Sequence, residues 1–309
     1  MPVHTHIPVL EAEVVRALAP VAGGRYVDGT LGAGGHAAAI LAASSPNGWL
    51  FGCDRDGEAV QAAATRLRKF EGRFEFRQAN HAELAGWIPT ASCDGVLLDL
   101  GLSSPQLERA ERGFSFQRDG PLDMRMDVSQ SLTAAKIVNE TTMDDLASLF
   151  WRFGQERDAR RYARAMVTER QRRPFETTRQ LAELIEGLAR RQGGRLHPAT
   201  RVFQALRMAV NDEIESLQRG LEAAWTLLRP GARLAVISFH SLEDRSVKTF
   251  GRRLALPYTL PGEVDVPELR VPRAPQLKWV TRKAVVPCEA EKASNPRSRS
   301  ARLRVMEKI

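Results

Sequence analysis

The segment Tyr26-Val27-Asp28-Gly29-Thr30-Leu31-Gly32-Ala33-Gly34-Gly35-His36 reads as a short strand running into a glycine-rich turn and then an alanine-rich helix. Such a turn can take positive φ, expose backbone N–H groups and leave room for a ligand above a helix N-terminus. One βαβ unit further on, Gly52-Cys53-Asp54-Arg55-Asp56 places Asp54 directly after a second strand. A carboxylate at that point can accept two hydrogen bonds from ribose hydroxyls. A tight turn or a helix N-cap would account for either piece alone. Their order within one βαβ unit points to a bound nucleoside.

Two kinds of nucleoside ligand fit. Gly32-x-Gly34-x-x-Ala37 satisfies the relaxed dinucleotide fingerprint, so a nicotinamide-dependent dehydrogenase is one reading. Asp28, at the end of the first strand, points to the other. A carboxylate there would meet the α-amino group of a cationic ligand such as S-adenosylmethionine and would repel a pyrophosphate. Asp is also a common turn former, so this residue leaves both readings open.

Positioning these groups takes a parallel sheet. In the first third of the chain, short β-rich runs alternate with helical stretches, at Arg25–Asp28, Trp49–Cys53, Arg73–Arg77 and Gly95–Leu100. The last is a run suited to burial on both faces. A fifth strand, Arg233–Phe239, follows only after a long stretch of helical pattern. The economical organisation is an α/β fold with a mostly parallel, Rossmann-like sheet over 1–105 and 199–309, and an inserted helical domain over 106–198. An insertion at the carboxyl edge of strand four, where α/β sheets place ligands, would overhang the active site. From Thr200 onward, Phe203, Leu206, Val210, Ile214, Leu217, Leu221, Trp225 and Leu228 form a sustained helical stripe that leads back to the sheet. Arg229-Pro230-Gly231 reads as a stop before strand five. Leu277–Pro287 and Ser300–Glu307, separated by a loop with Asn295-Pro296-Arg297, read as a closing antiparallel pair.

With 43% hydrophobic and 27% charged residues, the 309-residue chain is neither a disordered nor a collagen-like polymer. No window approaches the ~18 uninterrupted apolar residues of a membrane span, and Met1–Leu10 lacks the pattern of a secretory signal. A cytoplasmic enzyme with no membrane association is expected. The 45 Lys and Arg against 37 Asp and Glu leave a net charge of +8, unevenly spread. Residues 151–173 carry eight Arg against three acids, and 291–309 six basic residues against two. Two such tracts in one chain point to nucleic acid. Cys53, Cys93 and Cys288 lack paired spacing and read as reduced thiols. His4 and His6 have no third ligand near them, so no metal is expected. Nothing in the pattern sets an oligomeric state.

Five separated motifs, in order, resemble one family. They are Asp28–His36 (DGTLGAGGH), Asp99–Leu107 (DLGLSSPQL), Glu111–Met126 (ERGFSFQRDGPLDMRM), His197–Ala205 (HPATRVFQA) and Ser238–Arg245 (SFHSLEDR). The chain is similar over nearly its whole length to the bacterial 16S rRNA cytosine-N4 methyltransferases of the RsmH or MraW type. The resemblance implies a class I methyltransferase-like core with a helical insertion, S-adenosylmethionine as cofactor, and 16S rRNA within the small ribosomal subunit as partner. The target would be the exocyclic amine of a cytidine in the decoding region. Carried over residue by residue, it implies cofactor contacts from Gly34, Gly35, His36, Asp54, His81, Asp99 and Gln106, beside the Asp28 and Gly32 contacts read from the turn itself.

The chemistry limits the roles. A sulfonium methyl is already activated, so the protein must chiefly align the cytosine nitrogen with the carbon–sulfur bond. The N4 lone pair is delocalised into the ring, and an acceptor that favours the pyramidal amine and takes its proton would help. Asp99 is the candidate, ending a buried strand ahead of Gly101-Leu102-Ser103-Ser104-Pro105. The usual acidic or Asn residue followed by Pro-Pro and an aromatic is replaced here by Asp99-Leu100-Gly101-Leu102, so base stacking must come from elsewhere. Phe114, Phe116, Asp123, Arg125 and His240 are candidates for holding the base, although a Phe pair more often packs a core. Arg152, Arg157, Arg160, Arg161 and Arg164, read as one helix, would bind RNA backbone by charge.

Overall fold

Val96, Leu97 and Leu98 are wholly buried, because a strand with helices on both sides sends alternate side chains into two different cores. This strand is the centre of a computed structural model that describes residues 8–189, 197–259, 262 and 265–309; His4 and His6 lie outside the described residues. The chain divides into two units, one made of 1–101 and 214–309, the other of 102–213. In chain order the helices are α1 (Glu11–Leu18), α2 (Gly35–Ala43), α3 (Gly57–Arg66), α4 (Ser104–Glu108), α5 (Ala134–Glu140), α6 (Met143–Gly154), α7 (Ala159–Arg170), α8 (Thr178–Leu188), α9 (Thr200–Val210), α10 (Glu213–Leu227), α11 (Ser241–Ala255) and α12 (Glu289–Ser294).

The first unit is built on a seven-stranded sheet. Its strands are β1 (Arg25–Asp28), β2 (Trp49–Asp54), β3 (Phe74–Gln78), β4 (Cys93–Asp99), β5 (Leu228–Ser238), β6 (Leu277–Trp279) and β7 (Arg302–Lys308), in the order β3-β2-β1-β4-β5-β7-β6. The first five run parallel, β7 is antiparallel to β5, and β6 is antiparallel to β7. This is the mostly parallel, class I methyltransferase-like sheet. Its winding reverses between β1 and β4, the switch point at which such sheets open a crevice for ligands. Leu97, Ala235 and Ile237 pack with Leu18, Ile40, Leu41 and Ala63 from α1, α2 and α3. Val96, Leu98 and Val236 pack with Leu217, Leu221, Val247 and Phe250 from α10 and α11. Truncating one of these buried leucines to Ala costs about 2–5 kcal/mol.

Two strand boundaries differ from the sequence reading. β5 begins at Leu228, so Arg229-Pro230-Gly231 does not stop a helix ahead of the strand. It forms a bulge within it, where pairing jumps from Cys93–Leu228 to Gly95–Arg233 and Gly231 takes φ 81°. β6 covers only Leu277–Trp279; the chain then leaves the ladder and returns as a single bridge between Val285 and Leu303.

The second unit is helical around its own core, which includes Phe114, Leu122, Met124, Phe150, Tyr162 and Met166. Its end is later than the expected 198. α9 contributes Val202, Phe203 and Leu206 to this core, and the stripe from Thr200 is two helices. The break is held by buried Asn211, whose Oδ1 accepts from the Met126 amide (2.8 Å) and whose Nδ2 donates to the carbonyls of Met124 (2.7 Å) and Arg207 (2.8 Å). Asp212 then turns the chain at φ 49°. The arginine tract is likewise not one helix. α6 ends at Gly154, Gln155 follows at φ 50°, and α7 starts at Ala159. Gly154 is required there, since a Cβ would sit 2.5 Å from the Arg201 carbonyl of α9.

Candidate active site

Three carboxylates end three parallel strands of the first unit: Asp28 on β1, Asp54 on β2 and Asp99 on β4. Asp28 is buried and accepts from the Thr30 amide at 3.1 Å. Asp54 closes the glycine turn, with Oδ2 accepting from the Gly32 amide (2.8 Å) and Oδ1 from the Asp56 amide (2.9 Å). The Arg55 amide also acts on it, and since a carboxylate offers about four lone-pair positions, capacity for a ligand hydroxyl remains. The backbone N–H of Asp99 donates to Thr30 Oγ1 at 2.6 Å, and Asp99 Oδ2 lies 3.4 Å from Nε2 of His36 in the first turn of α2. That approach is close without being an aligned hydrogen bond, and Asp99 Oδ1 is buried with no partner among the described residues. An orphaned acceptor of this kind fits a ligand donor.

The glycines of the turn divide into two roles. At Gly32 (φ 48°) an added Cβ would meet nothing nearer than the Thr30 carbonyl at 4.0 Å, so the turn faces open space there. At Gly34 (φ 75°) it would press on Ala63 of α3 at 3.1 Å, and at Gly35 on Pro8 at 2.5 Å. All three were candidates for ligand approach, yet the side-chain directions at Gly34 and Gly35 are filled by protein. The Gly34 N–H is committed as well, donating to the Leu31 carbonyl at 2.8 Å.

Electrostatically this edge is anionic. Burial pushes the Asp28 carboxyl up to about 6; His36 opposes that shift, while Asp99 and Asp54 add to it. Burial also raises Asp54, against the amides of Asp56 and Gly32. For His36 burial disfavours the imidazolium, but Asp99 and then Asp28 outweigh it and the pKa is raised. Behind the turn, the buried Cys53 thiol donates to the Gly29 carbonyl at 3.6 Å and is held well above its ordinary pKa by burial. A cationic adenosine ligand suits such an edge, and a pyrophosphate does not.

A model of the MraW methylase family matches residues 3–309. The chain belongs to the MraW methylase family. Ribosomal RNA small subunit methyltransferase H of Geotalea uraniireducens is 52% identical over 309 residues, covering 98% of both chains. The protein of that name from Symbiobacterium thermophilum is 50% identical, covering 98% of this chain and 96% of its own, and that from Thermomicrobium roseum 49%, covering 99% and 94%. A MraW methylase is a methyltransferase, so the nicotinamide-dependent reading falls.

The remaining candidates of this MraW methylase take other places. His81 begins a short 3-10 turn (His81–Gly86), and its ring is turned to α10, where a Cβ at Gly220 would collide with it. Burial, reinforced by Arg55, lowers its pKa to about 4. The ring carried over as a cofactor contact thus packs against α10. His240 is the N-cap of α11 in a reciprocal box with Glu243: its Nδ1 accepts from the Glu243 amide, and Glu243 accepts from the amides of Phe239 and His240. In the fold it starts that helix through Nδ1, while its Nε2 is buried with no hydrogen-bond partner among the described residues.

The second unit holds the others. Gln106 is buried, with Oε1 accepting from the Ser103 amide at 3.0 Å. Phe114 is buried in the core, and Phe116 packs on His197 and Phe203 at ring-centroid distances of 4.5 and 4.9 Å. Phe114 thus belongs to the core, while Phe116 is half-buried against it. Arg125, a candidate for holding the base, is engaged within its own segment. Its Nε and Nη2 bond Asp123 (2.8 Å each) and its Nη1 the carbonyls of Val128 and Gln130, so it staples its own loop. Arg157, Arg160 and Arg164 are exposed, whereas Arg161 is half-buried. Two residues went unnoticed in the sequence. Thr30 bonds Asp99, which only the pairing of β1 with β4 could disclose. Trp151 is 62% exposed beside Arg152, an indole open for base stacking that a helical apolar pattern hides.

Proposed function

We propose that this chain methylates small-subunit ribosomal RNA with S-adenosylmethionine, and that its target is N4 of a cytidine in the decoding region of 16S rRNA. The observation that carries the reading is the trio Asp28, Asp54 and Asp99 around the open side of Gly32. S-adenosylmethionine supplies an activated methyl group and a cationic amine. Asp54 and the Gly32 turn bind and orient the ribose, and Asp28 answers the cationic amine. Asp99 accepts an N–H of the target amine through its free Oδ1 and takes the proton as the nitrogen becomes cationic, with His36 steadying Oδ2. The second unit, 102–213, engages RNA through Arg157, Arg160, Arg164 and Trp151. Among the described residues no helix is long and apolar enough to cross a membrane; the proposed ribosomal substrate supports a cytoplasmic location.

The test is transfer of labelled methyl groups from S-adenosylmethionine to unmethylated small-subunit particles, followed by nucleoside analysis. N4-methylcytidine at a single position is expected, and Asp99→Asn should lower turnover about 10²–10⁴-fold. Label on another atom, or none with the wild-type enzyme, would overturn the reading.

A further inference from the structure

The first unit contains a cavity, roughly 490 Å³ in volume, lined by α11, β7 and the loop after β6. Six of its nine lining residues are Lys248, Arg252, Arg282, Lys283, Arg302 and Arg304, and none is acidic. The fold explains the convergence. Lys248 and Arg252 are one turn apart on α11 and share a face; Arg302 and Arg304 alternate onto one face of β7. Arg282 and Lys283 ride on the excursion between the Val280–Val305 hydrogen bond and the Val285–Leu303 bridge, which pins both ends of that loop to β7.

One carboxylate answers these charges from beneath. Asp244, almost fully buried, accepts from Arg304 Nε at 2.6 Å and lies 3.4 Å from Arg302 Nη1 and Lys248 Nζ. It orients those three side chains without neutralising the site. Among the described residues, Arg252, Arg282 and Lys283 have no salt-bridge partner. Like charges gathered this way repel one another unless an anion joins them. The wall is apolar on one side: Trp279 lies flush on Gly251, where a Cβ would collide with its indole, and Val286 is 56% exposed. Guanidinium groups beside an exposed apolar wall suit a strand that offers phosphates and bases together.

The cavity also begins at the right height. Arg302 stands opposite Ser238, the last residue of β5, and the next register row joins Leu303 to Ile237 and Ile237 to Asp99. By backbone spacing Asp99 is thus two strands away, about 10 Å along the carboxyl edge, with Arg302 and Arg304 turned to the α11 face of the sheet and Asp99 to the α2 face. We propose that this cavity binds the phosphodiester backbone of single-stranded RNA adjoining the methylated nucleotide. The proposal rests on the reading that the substrate is ribosomal RNA.

The test uses the full-length enzyme with Arg282→Gln and Lys283→Gln combined; both side chains are exposed, and an unchanged melting temperature checks the fold. Binding of an unstructured uridine dodecamer is measured across 50–200 mM salt. Neutralising two backbone contacts should weaken binding severalfold and reduce the log–log salt slope by about 0.7 per side chain. KM for small-subunit particles should rise while S-adenosylmethionine affinity is unchanged. An unaltered slope together with an unaltered KM overturns the proposal, and so does a variant that loses binding of inorganic phosphate but keeps that of RNA, which would mark a free-phosphate site. Wild-type enzyme that binds the dodecamer but methylates no particle would instead defeat the proposed function, leaving the cavity result legible on its own. Should the double variant melt early, Arg252→Gln carries the same measurements.

Discussion

The main-chain N–H of Asp99 is bonded to the side-chain hydroxyl of Thr30, so the end of β4 is fastened to the turn after β1. Thr30→Val keeps the shape and removes the acceptor. Leaving that amide unpaired should cost about 1–3 kcal/mol of stability. Because Asp99 would lose its anchor, turnover should fall about tenfold while S-adenosylmethionine affinity changes little. Denaturant titration and steady-state kinetics check the two halves separately.

Cofactor contacts and RNA contacts should fail in different assays. Asp54→Ala removes a charged acceptor and should weaken cofactor binding about 10–100-fold, equivalent to roughly 1.5–3 kcal/mol, with RNA affinity retained. Arg160→Gln with Arg164→Gln should do the reverse and flatten the salt dependence by about 0.7 per residue. Equal losses in calorimetry and RNA titration would refute the division.

Gly32 and Gly34 look alike in sequence and should behave differently. Gly34→Ala forces a side chain into φ 75° and onto Ala63, and should lower stability by about 1–3 kcal/mol. Gly32→Ala meets open space, so only its φ of 48° is costly, about 1–2 kcal/mol. Its larger effect should be on cofactor affinity, because the new methyl occupies the ligand's side of the turn. Calorimetric titration beside urea unfolding distinguishes them.

His81 should make the protein acid-sensitive. The unfolded chain protonates this imidazole near its ordinary 6.5, whereas the folded one resists to about 4. Its stabilising contribution is therefore complete above 6.5 and lost as pH falls toward 4. Asp28, raised to about 6, acts in the opposite sense, favouring the fold at low pH and losing that effect as pH rises through about 6. Both proteins in the comparison retain Asp28, so His81→Asn should show a shallower loss of stability on acidification. Identical slopes would place the ring in solvent contact.

What could be read in advance was whatever local chemistry encodes. The Gly32 turn, Asp28, Asp54 and Asp99 were legible because each follows a β-rich run directly, and parallel strands bring their carboxyl ends to one edge. The insertion's end was not, since Phe203 to Leu228 keeps helical spacing across Asn211-Asp212; both helices bury a face, and the polar break is satisfied internally. Arg125 misled for a similar reason. Its partner Asp123 is only two residues away, in a loop whose shape no periodicity reveals. Charge counts also concealed that the basic tail is folded into a wall with α11.

Of the three cysteines, Cys53 and Cys93 are sealed inside and Cys288 alone is exposed. The inner two keep their protons because burial disfavours the thiolate, so alkylating reagents and peroxide find little to attack there. Maleimide chemistry should consequently attach one dye per molecule, at the N-cap of α12, leaving the strand-end carboxylates untouched. The native chain thus comes equipped for single-site fluorescence work on ribosomal particles without any cysteine engineering.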